Sequence, residues 1–296
     1  MISTYPIIDI EAEAEIPESL GTKEKFWVAH GEKLCLVKFG RPDTGEDWAE
    51  KVVCELATLL GLSHAHYDLA TFEGRRCVIT PSLVEEGGRL ILGNELINQS
   101  TKSGDGTREY LQREHTVGRV LAALAVSLRP FFRTAWHNFI GYLLLDAWTG
   151  NTDRHHENWG VIRSSDGTVR LAPTFDHASS LGRELSDKER GRRLATNDTR
   201  YTVEAFANRA RSALFAEVTD RRPLSTIDAF ALTARANRSS RNYWLKKLES
   251  ISEASVTEIL DMVPSLVISD AQKVFGLRLL SANKRRLLEL RERAGE

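Results

Sequence analysis

The chain has 296 residues, with 40 lysines and arginines against 41 aspartates and glutamates, and its formal net charge is −1. This balance excludes a protein whose overall field draws it onto nucleic acid or an anionic membrane, so we expect neither as a direct partner. The first residues lack the basic and apolar segments of a secretion signal, and no apolar run approaches the ~18 residues of a membrane span, so we expect a cytoplasmic protein.

The amino-terminal part predicts a β-hairpin that is entered through a glycine-containing turn. Gly21 and Lys23 lie in that turn, the apolar run 26–29 forms the first strand, and the run 34–39 forms the second. Lys38 stands near the end of the second strand. Many edge hairpins carry a lysine in this way, so the hairpin indicates a function only in combination with later residues of the chain.

A helix and two further strands come next. Residues 48–60 carry apolar side chains at helical spacing and are followed by Gly61, a residue typical of helix carboxyl-terminal caps. Two strands are predicted at 68–72 and 76–80. The second strand continues into 81–83, a segment suited to connect two lobes.

The rest of the chain is predicted to be mostly helical. The polar segment 98–107 indicates an exposed loop, and the apolar-rich segments 116–128 and 132–148 indicate two core helices. The arginines within 190–193 are expected on a solvated surface, where they could bind an acidic or phosphorylated partner. From residue 203 onward the pattern is helical to the end.

Three polar residues ahead of that last region indicate a chemistry. Asp153 is followed five positions later by Asn158, and a short hairpin with a Ser-Ser-Asp-Gly turn then leads to Asp176. Phosphoryl transfer needs a carboxylate near the attacking hydroxyl and oxygen ligands for Mg²⁺, and the catalytic loop of protein kinases has the same Asp-to-Asn spacing. The pattern predicts Asp153 as catalytic base and Asn158 and Asp176 as metal ligands. A loop capped by Asx side chains is the alternative without chemistry.

This region resembles the signature of HipA-like serine/threonine kinases, the toxin kinases of bacterial toxin–antitoxin systems. The resemblance is carried by the residues Asn-Thr-Asp-Arg-His at 151–155, Asn158, Gly160, Leu-Ala-Pro-Thr-Phe-Asp at 171–176 and the serines at 179–180. The order Asp-Arg-His differs from the His-Arg-Asp of eukaryotic protein kinases. It is nearer to the wider group that includes the phosphoinositide kinases.

The resemblance implies an α+β fold of two lobes, similar to protein kinases and related to phosphoinositide kinases. A small β-rich N-lobe would span residues 1–83, and a larger helical C-lobe would span residues 84–296. Full-length HipA toxins carry a further subdomain before the glycine-rich loop, whereas about twenty residues precede Gly21 here. We therefore expect a compact form that consists of the kinase core.

The kinase fold also implies a set of ATP-binding residues in chain order. The members expected to contact the nucleotide or to support it are Gly21, Lys23, Lys38, Glu50, Pro81 and Leu83. Lys38 would contact the phosphates, and Pro81 and Leu83 would lie in a hinge whose backbone groups contact adenine. Glu50 is preferred over Glu55 as the partner of Lys38, because HipA-like kinases carry a glutamate near the start of this helix.

The family resemblance further implies a biological role. ATP and Mg²⁺ would be the cofactors, and the substrate would be a protein such as an aminoacyl-tRNA synthetase, whose phosphorylation arrests translation. A cognate antitoxin protein would be a partner. Family members phosphorylate their own serines near the glycine-rich loop, and Ser19 and Thr22 are the hydroxyls available there.

The residues next to Asp153 allow more than one interpretation. His155 resembles the histidine of the family motif and is expected to orient the loop, while Arg154 could stabilise phosphate charge or pair with a local carboxylate. The neighbouring histidines could suggest zinc, but no compact ligand pairs with zinc spacing accompany them. The 3 cysteines, an odd number, favour reduced core residues over disulfides.

Two other functions stay open at this point. The same catalytic core serves small-molecule and lipid phosphotransferases, and a kinase fold that has lost turnover can act as a binding module. Phosphate label on a protein rather than on a metabolite would separate the first alternative. Retention of Asp153, Asn158, Asp176 and Lys38 argues against the second.

Overall fold

A computed structural model describes residues 4–11, 16–17, 24–101 and 113–292 of the chain. The amino-terminal strands are β1 (Ile7–Ile10), β2 (Ile16–Pro17), β3 (Lys25–His30), β4 (Lys33–Phe39), β5 (Asp68–Phe72) and β6 (Arg75–Pro81). They form one 6-stranded sheet in the order β1-β5-β6-β4-β3-β2. β1 pairs with β5 in parallel, and the other neighbouring strands pair antiparallel.

The position of β4 within this sheet determines where Lys38 points. Because successive side chains of a strand face opposite sides of the sheet, Cys35 and Val37 point into a small apolar core together with Phe26. Lys38 points to the other side, toward helix α1 (Glu46–Leu60). The alternation along β4 therefore packs one face of the strand in the apolar core and turns the amine of Lys38, on the other face, toward α1.

Helix α1 is buried along nearly its whole length and lies beside β5 and β6. Its first turn carries Glu46 and Asp47, whose charge suits the positive end of the helix dipole. Gly61 ends it with φ of 72°, a left-handed conformation that glycine adopts without strain, and its N–H bonds to the Thr58 carbonyl. The helix predicted at 48–60 is present and begins two residues earlier.

The carboxyl-terminal part combines a small sheet with helices. Its strands β7 (Arg89–Leu92), β8 (Gly160–Arg163) and β9 (Val169–Leu171) pair in that order. The described helices are α2 (Gly93–Thr101), α3 (Val117–Ser127), α4 (Phe132–Thr149), α5 (Asp187–Ala195), α6 (Val203–Arg209), α7 (Thr226–Ala234), α8 (Arg238–Ser250), α9 (Glu253–Met262) and α10 (Asp270–Glu292). Helix α4 is buried almost throughout and delivers the chain to the motif at 151–158.

Some local expectations fail. Residues 98–101 belong to α2 rather than to an exposed loop, and residues 102–107 of that predicted loop lie outside the described ranges. Arg190 and Arg193 are buried rather than solvated, whereas Arg192 between them is exposed. Arg190 donates to the Gly182 carbonyl and to Asp187, so it holds the chain after the candidate site in place.

The predicted division at residue 83 falls between β6, which belongs to the large sheet, and β7, which pairs with β8. A division into two domains stays a prediction. Within the described ranges, no helix combines the length and the apolar character that crossing a bilayer requires.

Candidate active site

The candidate site lies where β4, α1 and the segment after β9 meet. Lys38 Nζ donates to Glu50 Oε2 at 3.0 Å and to Asp176 Oδ1 at 2.9 Å. Lys38 and Glu50 are buried, while 28% of the Asp176 side chain remains exposed. We call these three residues the lysine cluster. Elements that are far apart in the chain thus bring one amine and two carboxylates to one point.

Burial and charge act in opposite directions on the lysine cluster. Burial alone would lower the pKa of Lys38, but the adjacent carboxylates of Asp176 and Glu50 outweigh it and hold the pKa well above its usual value. Burial alone would raise the pKa of Glu50, but the charge of Lys38 and a hydrogen bond from His177 outweigh it and lower the pKa. Both groups are therefore charged at neutral pH.

The backbone at Asp176 is held in an unusual conformation. Its φ is 57°, in the left-handed region that residues other than glycine rarely enter. The Asp176 N–H donates to the Tyr67 hydroxyl at 3.3 Å, and the His177 N–H donates to Glu50 Oε1 at 2.6 Å. Side chains from the amino-terminal part therefore fix the turn on both sides of the carboxylate. Such strain concentrates at functional sites.

The loop between α4 and β8 carries Asp153 and Asn158. Asn158 Nδ2 donates to the Asp153 backbone oxygen at 2.7 Å, so its amide oxygen is the atom left to bind a cation. The Asp153 side chain is 49% exposed, and its Oδ1 lies 3.7 Å from His155 Nε2. His155 also accepts a hydrogen bond from the Glu157 N–H through Nδ1. His155 thus bonds within the loop and Asp153 is open to solvent, while the orienting role of His155 stays a prediction.

The position of Arg154 agrees with one of its two expected roles, pairing with a local carboxylate. Its guanidinium is fully buried and makes a two-nitrogen contact with Asp146, with Nε and Nη2 each 2.8 Å from a carboxylate oxygen. Its Nη1 donates to the backbone oxygens of Asn158 and Phe175. Arg154 therefore pairs with a local carboxylate and ties the loop to the residue before Asp176. A direct contact with phosphate is contradicted, because the guanidinium has no exposed surface.

Sequence reasoning missed the partner of Arg154. Asp146 lies in the last turn of α4, is 2% exposed, and also accepts a hydrogen bond from Asn151 Nδ2 at 2.8 Å. Asn151 Oδ1 in turn accepts from the Asp153 N–H at 3.1 Å. We call Asp146, Asn151 and Arg154 the arginine cluster. A single acid within the apolar run 142–148 was the signal that could have revealed it. No sequence pattern, by contrast, marks Tyr67 as a residue of the site.

The expected nucleotide residues are described only in part. Gly21 and Lys23 lie outside the described residues, as do Ser19 and Thr22. Pro81 ends β6 opposite Cys35, Ser82 N–H donates to the Leu34 carbonyl, and Leu83 packs against the main core. The segment expected to contact adenine therefore follows directly on the end of β6, an interior strand of the sheet.

The donor set at this site suits magnesium better than zinc. The carboxylate of Asp176 and the amide of Asn158 offer hard oxygen donors, which Mg²⁺ prefers, whereas zinc prefers sulfur and imidazole. In the part of the chain that the structure describes, no group of three or more His, Cys, Asp or Glu side chains is arranged to hold a metal ion. Asp153, Asn158 and Asp176 include only two such residues, so this result does not bear on them.

The fold and this site define a kinase-fold protein. A model of the HipA-like C-terminal domain matches residues 19–238. The chain therefore belongs to the family of HipA-like C-terminal domains, and the expected resemblance and α+β fold class are confirmed.

A curated relative agrees with this assignment. The serine/threonine-protein kinase CtkA of Helicobacter pylori is 27% identical over 194 residues, which are 57% of this chain and 55% of the relative. The chain thus matches about half the length of that curated relative.

Solved structures show the same fold. The crystal structure of the Helicobacter pylori proinflammatory kinase CtkA matches with a TM-score of 0.79 and 22% identity, covering 96% of both chains. HipA of Shewanella oneidensis, solved with HipB and operator DNA, matches with a TM-score of 0.58 and 14% identity, covering 94% of this chain and 66% of its own. At these identities the structural matches establish the fold alone.

Proposed function

We propose that this chain is a Mg²⁺- and ATP-dependent kinase that phosphorylates serine or threonine hydroxyls of a protein. The lysine cluster carries the proposal. A buried lysine that contacts a helix glutamate and a carboxylate after a hairpin is the arrangement that positions nucleotide phosphates in kinases. The similarity to a relative named as a serine/threonine-protein kinase supports the same activity.

Each residue of the site has a role in this proposal. Lys38 binds the nucleotide phosphates, and Glu50 holds its amine in place. Asn158 and Asp176 supply the amide and carboxylate oxygens for Mg²⁺, which neutralises phosphate charge when it is bound. Asp153, which is open to solvent, accepts the proton of the substrate hydroxyl.

The remaining proposed residues position these groups or cover the nucleotide. His155 orients Asp153 from within the loop. Arg154 acts as a positioning residue through Asp146 rather than as a contact to phosphate. The backbone near Pro81 and Leu83 binds adenine, and Gly21 and Lys23 belong to the loop over the phosphates.

The biological role is proposed by similarity. HipA of Shewanella oneidensis was solved with HipB and its operator DNA as a toxin–antitoxin system. By this likeness we propose a cognate antitoxin protein as a partner and a protein substrate such as an aminoacyl-tRNA synthetase. We propose Ser19 or Thr22 as the site of autophosphorylation. The balanced net charge gives no reason to propose direct binding to nucleic acid.

The test is phosphate transfer from labelled ATP with Mg²⁺ to protein in a bacterial lysate. Wild type should label protein bands, and Asp153→Asn and Asp176→Asn should each reduce the label at least about 100-fold, since each removes a group that acts in the transition state. Asp166→Asn, in the exposed turn between β8 and β9, is the matched control and should label like wild type.

Each other outcome has a defined meaning. Equal label from all four proteins would end the catalytic proposal. Label on a small molecule or a lipid rather than on protein would favour the small-molecule phosphotransferase. Binding of ATP without any label would favour the non-catalytic binding module.

A further inference from the structure

The 3 cysteines of the chain are all buried, but they differ in what surrounds the sulfur. Among the described residues, the sulfurs of Cys35 and Cys77 have no hydrogen-bond partner. Burial raises the pKa of both thiols, that of Cys77 to about 12. Cys54 on α1 is equally buried, yet its sulfur lies near two imidazole nitrogens and one backbone N–H, and the nearer imidazole, His64, also lies with its Nδ1 2.9 Å from the Ala65 carbonyl oxygen. Burial therefore does not distinguish the three residues, and polar surroundings do.

These nitrogen groups belong to the loop after α1. Cys54 Sγ lies 3.6 Å from His64 Nδ1 and 4.0 Å from His66 Nδ1, and it accepts a hydrogen bond from the Tyr67 N–H at 3.4 Å. His66 Nε2 lies 3.2 Å from Asp68 Oδ2. The order thiol, imidazole and carboxylate is the arrangement that activates a cysteine nucleophile. We call Cys54, His64, His66 and Asp68 the thiol cluster.

The charges support a thiolate at neutral pH. Burial alone would raise the pKa of Cys54, but hydrogen bonds from His64, His66 and the Tyr67 N–H outweigh it and lower the pKa to about 7. The Asp68 and Cys54 contacts raise the pKa of His66 to about 10.

Other ionisable groups near the sulfur are already paired with one another. On α1 itself, Lys51 forms ion pairs with Glu55 and with Asp68. From the amino-terminal segment, the ring of Tyr5 lies against the Lys51 amine. Burial, followed by the charges of Glu55 and Cys54, raises the pKa of Tyr5, so its hydroxyl is neutral at pH 7. The histidines are therefore the groups that set the charge of the thiol.

We propose that Cys54 is a redox-sensitive modification site that reacts with hydroperoxides. The thiolate sulfur attacks one peroxide oxygen, so that an S–O bond forms as the O–O bond breaks. The departing hydroxide or alkoxide takes the proton of the His66 imidazolium and leaves as water or alcohol. Sulfur is oxidised by two electrons to the sulfenic acid, and the peroxide is reduced by the same two.

A small oxidant can reach the sulfur past His66. The His66 ring contacts the sulfur on one side, and 58% of its side chain is exposed. Rotation of an exposed side chain takes picoseconds to nanoseconds, so the ring can move aside without unfolding.

The thiol cluster lies directly behind the candidate active site, so oxidation should alter that site. Cys54 lies four residues after Glu50, on the same side of α1. The loop at 63–67 is bonded to Thr174 by two backbone hydrogen bonds, and the Tyr67 hydroxyl accepts from the Asp176 N–H. Cys54 is 0% exposed, so an oxygen added to its sulfur takes the place of the His66 ring and displaces that ring or the loop that carries it. The same loop contacts Asp176 of the lysine cluster through the Tyr67 hydroxyl.

The chemical half of the proposal is tested without any measurement of activity. The intact protein is treated with hydrogen peroxide and a dimedone probe at pH 7, and the adduct on each cysteine peptide is followed by mass spectrometry. Cys54 should be labelled at least about 10-fold faster than Cys35 and Cys77, because about half of it is thiolate. His66→Gln should slow the labelling several-fold, whereas His30→Gln on the exposed end of β3 should not. Equal labelling of the three cysteines, or no effect of His66→Gln, would overturn the proposal.

The regulatory half rests on the proposed function and has its own measurement. Peroxide should lower phosphate transfer and affinity for a fluorescent ATP analogue in wild type, with recovery after dithiothreitol, while Cys54→Ala should be insensitive. If the adduct forms but untreated protein transfers no phosphate, the kinase proposal fails and the thiol chemistry stands. If untreated protein is active and the adduct forms without inhibition, the regulatory half is wrong.

Discussion

The lysine cluster and the arginine cluster are both buried ion-pair clusters, and they differ in how completely they are closed to solvent. The lysine cluster joins β4, α1 and the segment after β9, and its Asp176 side chain keeps 28% of its surface exposed. The arginine cluster joins α4 to the loop, with Arg154 and Asp146 only 0% and 2% exposed. The first can exchange one partner for a ligand, whereas the second can only hold the loop in place.

The difference arises from the hydrogen-bond partners of the two cations, Arg154 and Lys38. All three nitrogens of the Arg154 guanidinium donate to oxygens of the protein, and the side chain is 0% exposed, so a ligand cannot reach it. Lys38 shares its amine between Glu50, which is fully buried, and Asp176, which is not. A planar guanidinium suits a fixed site and an ammonium suits a site where partners change. We therefore expect the arginine cluster to contribute more to stability and the lysine cluster more to activity.

The largest expected effect on stability is that of Asp146→Asn. The change leaves the Arg154 charge buried without its counter-charge, which costs about 3–5 kcal/mol of the free energy of unfolding. Denaturant unfolding measures it. Glu249→Gln is the control, since its ion pair with Arg291 is about half exposed and should be worth less than about 1 kcal/mol. A loss similar to that of the control would show that the arginine cluster does not hold the loop.

Lys38→Met should cost less in stability and more in activity. Glu50 loses its counter-charge but keeps the hydrogen bond from the His177 N–H and can take up a proton, so we expect a loss of about 1–3 kcal/mol. Phosphate transfer should fall below detection. Adding Glu50→Gln to Lys38→Met should recover part of the lost free energy of unfolding and none of the activity. A double-mutant cycle measures the interaction energy between the two residues. A stability loss above that of Asp146→Asn would reverse the comparison.

A third prediction concerns how the free energy of unfolding depends on pH through His115. His115 is buried, accepts from Trp159 Nε1 at 3.0 Å, and has a pKa lowered to about 3, chiefly by burial. The unfolded chain binds a proton near pH 6.5 and the folded chain does not, so this stabilisation is complete above about pH 6.5 and is lost as the pH falls toward 3.

The measurement is the free energy of unfolding of wild type and His115→Gln at pH 7.0 and 5.5. The gap between the two proteins should narrow by roughly 1 kcal/mol at the lower pH. The exposed His30→Gln is the control, and its gap to wild type should stay constant. A constant gap for His115→Gln would mean that the folded and unfolded chains bind a proton at this imidazole equally.

Local patterns predicted much of the fold and of the site. The β3–β4 hairpin, α1 with its Gly61 cap, and the β8–β9 hairpin each arise from a short run whose periodicity and turn residues are visible in the sequence. The spacing from Asp153 to Asn158 is equally local. The resemblance to a known family then supplied Glu50, whose contact with Lys38 no local pattern indicates.

The remaining features depend on contacts between distant segments. β1 pairs with β5 and β7 with β8, and such four-residue strands carry too little pattern to identify them or their register. Arg190 looks like any other charged residue of a polar run, and only the fold shows that it is buried. The same holds for Tyr67, which contacts Asp176 at a separation of 109 residues along the chain.

The smallest expected effect on stability belongs to Asp153, whose loss should nevertheless remove most of the phosphate transfer. The Asp153 side chain is about half exposed, and its Oδ1 lies 3.7 Å from the His155 ring, so Asp153→Asn should change the free energy of unfolding by less than about 0.5 kcal/mol. Affinity for ATP should also stay within about 2-fold, because the lysine cluster is untouched. A residue whose loss removes transfer alone acts on the reacting hydroxyl. If Asp153→Asn instead lowers stability as much as Lys38→Met, its role is structural and the catalytic base must be sought elsewhere in the loop.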